Sequence, residues 1–188
     1  MKSLFAIALI SLLAPSIVAQ HQTFAVNPDA SQVKMTLQTT HEVVNGTFHV
    51  RSGSIQFEDT TGSQMSGSVV VLAGSGNTGS GARDKKMDKD ILRVDKYQTV
   101  SFDPKSYTGV LNPSGDSTIQ VTGILTLLGT PHETTIPMLV HLARVNASAK
   151  AHFIIPYVKW GLKNPSFLFW KAEDDVSIDL VLTGTLSK

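Results

Sequence analysis

No cysteine occurs anywhere in the 188 residues, and that single absence removes several chemistries at once. Disulfide bonds, thiol nucleophiles, thiolate metal sites and a lipid-modified N-terminal cysteine are all excluded. An excess of one charge is also missing. Lys and Arg number 16 against 15 Asp and Glu, a formal net charge of +1, so no global field recruits nucleic acid or an anionic membrane. No G-x-S-x-G elbow is present to expose a nucleophilic serine. Internal repeats, low-complexity tails and linkers are absent too, which leaves one folding unit.

What is there begins with an apolar run from Leu4 to Val18, interrupted by Ser11, Pro15 and Ser16. It is too short for a comfortable membrane span of about 20 residues. It follows a lone Lys2 and closes on Ile17-Val18-Ala19, the layout of a secretory signal peptide. Residues 1–19 are therefore expected to be cleaved before Gln20, giving a periplasmic or secreted protein with no membrane span after cleavage. Residues 20–188 would then form a single domain, large enough to bury a core without disulfides.

The body of the chain reads as strands. Val33, Met35 and Leu37 alternate with Gln32, Lys34, Thr36 and Gln38, the period of a half-buried strand. Thr47–Val50 and Ser54–Phe57 read as one strand bent at Ser52-Gly53, followed by Ser68–Leu72, Thr99–Phe102, Ile119–Leu127, Thr134–Leu142, Ser148–Ile155 and Asp175–Gly184. Turn residues separate them at Asp59–Gly62, Asn112–Asp116 and Leu128–Pro131. Ala82–Val94 differs: Met87, Ile91 and Val94 fall at helical spacing, predicting a short amphipathic helix between strands. So many alternating strands must protect their edges, which favours an antiparallel barrel over a sandwich. About eight strands enclose either packed side chains or one small ligand, so strand count is compatible with both a solid and a hollow lumen.

Several local patterns compete with blander readings. Gly74–Gly79 matches G-x-G-x-x-G with Asp95 beyond it, but an antiparallel all-β chain has no parallel return strand for a dinucleotide, so a flexible Gly/Ser loop is expected. The six histidines, at positions 21, 41, 49, 132, 141 and 152, show no metal-like spacing. His49, His141 and His152 fall on the polar phase of their strands and are expected to face solvent. Asp84, Asp88 and Asp90 read as solvated helix charges, and Glu173, Asp174 and Asp175 as turn residues. The run Arg83–Asp90 carries both signs, which suits a solvated helix face. The sharper alternative puts Arg83 at a barrel mouth, where its guanidinium meets a polar head group. Phe153, Tyr157, Trp160, Phe167, Phe169 and Trp170 crowd the C-terminal region and would line a pocket if the lumen is hollow.

Four blocks in order carry a family resemblance. They are Asp29-Ala30-Ser31 with His41 and Val44–Phe48; Arg83-Asp84 with Lys96–Phe102, where Gln98 replaces a usual Pro; Val121–Thr130; and Trp160-Gly161-Leu162. In this layout the chain resembles the YceI-like family of lipocalin-like, polyisoprenoid-binding proteins across nearly all of residues 20–188. The resemblance implies an eight-stranded antiparallel lipocalin-like barrel whose apolar cavity holds an isoprenoid chain such as a quinone tail. It implies no catalytic residues and no cofactor beyond such a bound polyisoprenoid or quinone lipid. Where many members carry Arg and Asp before the aromatic-Gly step, this chain has Tyr157 and Lys159, so Pro156–Ser166 resembles a subgroup variant.

The expectation is thus a non-enzymatic carrier of an apolar, lipid-like ligand. Its lumen would be lined by Val33, Met35, Leu37, Phe48, Phe57, Phe102, Leu125, Met138, Phe153, Trp160 and Ile178, with Arg83, Asp84 and His41 at the rim. A structural or stress-linked barrel with a filled core would show the same apolar phase and is the alternative. A hydrolase or isomerase with an unrecognised site is the third reading. No metal or nucleic-acid partner is expected, and a homodimer is left open.

Overall fold

A computed structural model describes residues 21–58 and 63–188. The expected signal peptide and the Asp59–Gly62 turn lie outside the described residues. Ten strands follow in order: β1 (His21–Val26), β2 (Gln32–Gln38), β3 (Val43–Phe48), β4 (Val50–Glu58), β5 (Met65–Leu72), β6 (Thr99–Thr108), β7 (Gly115–Leu127), β8 (Thr130–Leu142), β9 (Asn146–Ile155) and β10 (Val176–Ser187). Their hydrogen-bonded order is β1-β4-β5-β6-β7-β8-β9-β10-β2-β3, and β1 also pairs with β10, so the sheet closes.

Ten strands make an eight-stranded barrel because two of its staves are each broken once. Both β1 and β2 pair with β10 on one side, while β1 pairs with β4 and β2 with β3 on the other. The break between β1 and β2 is chemical: Asn27 Oδ1 accepts from the Asp29 and Ala30 amides, and Pro28 fixes the turn. Ser31 Oγ then accepts from the Thr183 amide, tying the step to β10. The second broken stave parts at His49, with a bulge between Val50 and Ser52 against β5. The sequence predicts that bend at Ser52-Gly53 instead. Strand β1 carries no alternation signal, since the only apolar residues of its inward phase are Phe24 and Val26.

Long alternation elsewhere gives long strands. In β7, Ser117, Ile119, Val121, Gly123, Leu125 and Leu127 are all buried on one face. Strand β6 runs past the expected end at Phe102 because Pro104, which has no N–H for the ladder, sits at a bulge before Ser106. The expected helix forms as α1 (Gly81–Lys86), continuing into a wider π-type turn, Met87–Leu92, that ends at Arg93 with φ 47°. Met87, Ile91 and Val94 pack on Leu92, Leu125, Leu127 and Tyr157 at one end of the barrel.

Strand direction sorts the connections. One end carries the β2–β3 turn, the β5–β6 connection with α1, the two-residue β7–β8 turn Leu128-Gly129 and the β9–β10 connection. The opposite end carries the β6–β7 and β8–β9 loops, both far shorter than the β5–β6 and β9–β10 connections. The long connections therefore gather where a mouth can be built.

Candidate functional site

The barrel is hollow. A cavity of about 590 Å³ runs along its axis, walled by side chains from all ten strands, within the roughly 300–1,000 Å³ typical of small-molecule sites. That volume has room for about 20 waters at liquid density. A buried water needs polar partners, and Ser101 and Ser148 are among the few polar residues in a wall dominated by Val, Leu, Ile, Met and Phe. The space suits an apolar guest.

Ten residues expected at the lumen do face this cavity: Val33, Met35, Leu37, Phe48, Phe57, Phe102, Leu125, Met138, Phe153 and Ile178. Trp160 does not. Its ring stacks on His132 at 4.1 Å between centroids and 4° between planes, apart from the cavity wall. The aromatic crowd near the C-terminus divides in the same way. Phe153, Tyr157 and Trp170 line the space, whereas Phe167 and Phe169 point to solvent.

Solvent-exposed residues of the wall are Ala82, Lys86, Trp170 and Lys171, all at the end with the long connections. The opposite end is closed by buried or half-buried side chains such as Tyr107, Leu111, Leu142 and Ala147. Among the described residues the exposed wall positions gather at one mouth, framed by α1 and the β9–β10 connection.

Arg83 lies at this mouth, and its guanidinium is already engaged. Nη1 donates to Glu42 Oε1 at 2.5 Å, Nε to Thr78 Oγ1 at 2.9 Å and Nη2 to the Thr78 carbonyl at 3.2 Å. Asp84 does not reach the cavity; its Oδ1 accepts from the Thr78 amide at 2.9 Å and the Thr78 hydroxyl at 2.6 Å. Both residues thus hold the Gly74–Gly79 segment, which is not the flexible loop expected: Asn77 and Thr47 exchange two backbone bonds of 3.0 Å. Asp88 is only partly solvated. Among the described residues its enclosed Oδ1 has no hydrogen-bond partner, and burial first, then the neighbouring Asp84, raise its pKa. His41 stands outside the wall with its ring centroid 5.4 Å from that of Trp170.

Lys86 and Lys171 are the mouth residues that sequence reading missed. Among the described residues neither ammonium forms an ion pair. Lysine in a turn or on a helix is usual, so no local signal marked them. Deeper in, the Tyr157 hydroxyl donates to the Glu173 carbonyl at 2.6 Å. Burial first, then Asp174 and Asp175, push its pKa up to about 12, so the phenol stays a neutral donor. Two His–Asp pairs lie on the outer wall, where His141 meets Asp116 at 2.7 Å and His152 meets Asp179 at 2.8 Å. The arrangement can enclose an apolar chain and offer two lysines where it ends.

A closed eight-stranded antiparallel barrel with a single-mouthed apolar lumen has a lipocalin-like fold. The YceI-like domain model matches residues 24–184, and the chain belongs to that family. Burkholderia cenocepacia BcnA is similar in structure, with a TM-score of 0.70 and 18% identity over 85% of this chain and 99% of that one. A polyisoprenoid binding domain from Saccharophagus degradans, implicated in plant cell wall breakdown, gives 0.68 and 17% over 87% and 98%. The Campylobacter jejuni YCEI protein gives 0.60 and 18% over 77% and 86%. No curated protein matches the chain.

Proposed function

We propose that the protein binds one apolar chain lipid of the polyisoprenoid or quinone type in its lumen and carries it, without catalysing a reaction on it. The observation that carries this reading is the cavity of about 590 Å³ with one mouth and apolar walls. Burial contributes about 25 cal/mol for each Å² of apolar ligand surface removed from water. A chain without polar branches can use the whole lumen, and its head group would rest beside Lys86 and Lys171 at the mouth. The Saccharophagus degradans relative, a polyisoprenoid binding domain, supports the ligand class. The signal-like N-terminus supports export, with the periplasm or exterior as the place of work. No described helix is long and apolar enough to cross a membrane.

Organic extraction of protein purified without detergent, followed by mass spectrometry, tests this reading directly. A stoichiometric isoprenoid lipid is the expected result. Recovery of no lipid, together with failure to take up a dispersed isoprenoid alcohol, would overturn it.

A further inference from the structure

The β9–β10 connection ends in a feature that neither folding nor cavity lining accounts for. Phe167, Leu168, Phe169 and Trp170 are consecutive, with exposures of 67%, 70%, 86% and 42%. Phe167 and Trp170 exchange two backbone hydrogen bonds of 2.9 Å, so Leu168 and Phe169 form the tip of a tight hairpin. Leu168 sits there at φ 49°, a left-handed conformation unfavourable for a side chain with a Cβ and usually given to Gly or Asn in such turns. Leu128 adopts nearly the same φ, 50°, in the β7–β8 turn, but Leu128 is buried against Leu92 and Tyr157. Among the described residues Leu168, 70% exposed, has no such packing.

The tip stands on a well-braced stem. Thr40 donates its amide to the Lys171 carbonyl at 2.9 Å, and Thr40 Oγ1 donates to the Phe169 carbonyl at 3.3 Å. Ser166 and Asn164 hold the other limb: the Ala172 amide donates to Ser166 Oγ, and Asn164 Nδ2 donates to the Ala172 carbonyl. Trp170 belongs both to the tip and to the cavity wall, so the apolar surface runs without a break from outside into the lumen. Lys163 and Lys171 flank the tip in sequence, and Lys86 faces the same mouth. The carboxylates of the connection, Glu173, Asp174 and Asp175, follow Lys171 in the chain, immediately before β10.

We propose that the Phe167–Trp170 tip is an interfacial anchor that seats the mouth of the barrel on an anionic lipid bilayer. Such a surface accepts a narrow apolar wedge, places Trp at the headgroup level and attracts flanking lysines. A folded protein partner fits less well, because a stable interface uses about 20–30 residues a side and this tip has four. Among the described residues the other exposed large apolar side chains, Val43, Val110, Leu139, Val145 and Ile154, are never consecutive in the chain. Docked this way, the mouth opens onto the bilayer, and an apolar chain can pass between membrane and lumen without crossing water. The purpose of docking rests on the carrier reading; docking itself does not.

Flotation of the mature chain with vesicles of equal parts phosphatidylcholine and phosphatidylglycerol tests the anchor. The wild type should float, and the double variant Phe167→Ser, Phe169→Ser should lose at least about tenfold in partition, since two exposed rings no longer enter the interface. Lys171→Gln should lose about fivefold on these vesicles and little on pure phosphatidylcholine. Leu168→Asn discriminates most sharply: it suits the turn, so thermal stability holds or rises while vesicle binding falls. In a Trp160→Phe background, Trp170 emission should shift to the blue on binding. Wild type that stays with the soluble fraction at low salt overturns the anchor, as does equal flotation of the double variant. A concentration-dependent dimer abolished by the same substitutions would assign the tip to a second copy and also overturn it. Leu139→Ser, on the barrel wall, should bind like wild type; a loss there equal to the double variant's would count against a specific tip. Vesicle binding by a protein that takes up no isoprenoid supports the anchor and sinks the carrier. Isoprenoid uptake by wild type that does not float does the reverse.

Discussion

Arg83 in α1 and Glu42 in the β2–β3 turn pair at 2.5 Å, joining the helix at the cavity mouth to the neighbouring turn. Their side chains are 35% and 41% exposed, so solvent screens the pair, and a double-mutant cycle should give a coupling of about 0.2–1 kcal/mol. Arg83 also holds Thr78 through two further bonds. Arg83→Met should therefore destabilise more than Glu42→Gln and speed ligand release by loosening α1. Equal effects of the two single substitutions on melting temperature would show that the Thr78 bonds contribute nothing.

Adjacent residues of β8 separate the lumen from the outer wall. Met138 is buried and faces the cavity, whereas Leu139 is 46% exposed on the outside. Met138→Trp adds its volume to existing space, so the overpacking cost of about 1–3 kcal/mol seen in filled cores is not expected. Isoprenoid binding should fall at least about tenfold, a change of about 1.4 kcal/mol, with melting temperature held or raised. Leu139→Trp should leave binding unchanged. Tight binding by Met138→Trp would place the ligand elsewhere.

Ligand should also stabilise the fold. At a free concentration 100 times Kd, linkage predicts about 2.7 kcal/mol. For a domain of this size that corresponds to a melting temperature higher by about 5–11 °C. A scan with and without a dispersed isoprenoid alcohol reads it, and an unchanged melting temperature at saturation would contradict binding to the native state.

Alternation made the inner wall legible. Each of Val33, Met35 and Leu37 follows the last by two positions, and a barrel turns that period into one cavity face. Trp160 was misplaced because it lies in an irregular connection, where no period tells inside from outside. Asp84 differs from its expectation for a related reason: helical charge suggests solvent, while the Gly74–Gly79 segment whose Thr78 it holds is positioned by long-range bonds such as Asn77 to Thr47. Strand β1 escaped because two inward apolar residues make too short a pattern. Its strand character comes from pairing with β4 and β10, which are distant in sequence.

Gly123 gives the family-like Val121–Thr130 block a steric meaning. A Cβ there would lie 2.6 Å from the Asp103 carbonyl oxygen and 2.8 Å from Pro104 Cα, both backbone atoms at the β6 bulge. Neither can move like a flexible side chain. Gly123→Ala should cost about 1–3 kcal/mol, lowering the melting temperature by at least about 2 °C. Gly81→Ala, where a Cβ meets nothing within 4 Å, should not destabilise. If both variants melt like wild type, the bulge is not held by this close approach.

Tyr157 makes stability fall at alkaline pH. Its pKa rises from 10.0 to about 12 on folding, so between these values the unfolded chain releases a proton that the native state retains. Stability changes with pH in proportion to the protons bound unfolded minus those bound native, a negative difference in this window. The full contribution is present below about pH 10 and is lost at up to about 1.4 kcal/mol per pH unit as pH rises toward 12. At neutral pH, Tyr157→Phe should be the less stable protein by about 1 kcal/mol, having lost the hydrogen bond to the Glu173 carbonyl. The phenylalanine variant has no proton to lose, so the two stability curves should cross within about one or two pH units above pH 10. Urea denaturation of both proteins from pH 8 to pH 12 measures the crossing. Parallel curves would show that the Tyr157 phenol titrates alike in the folded and unfolded chains.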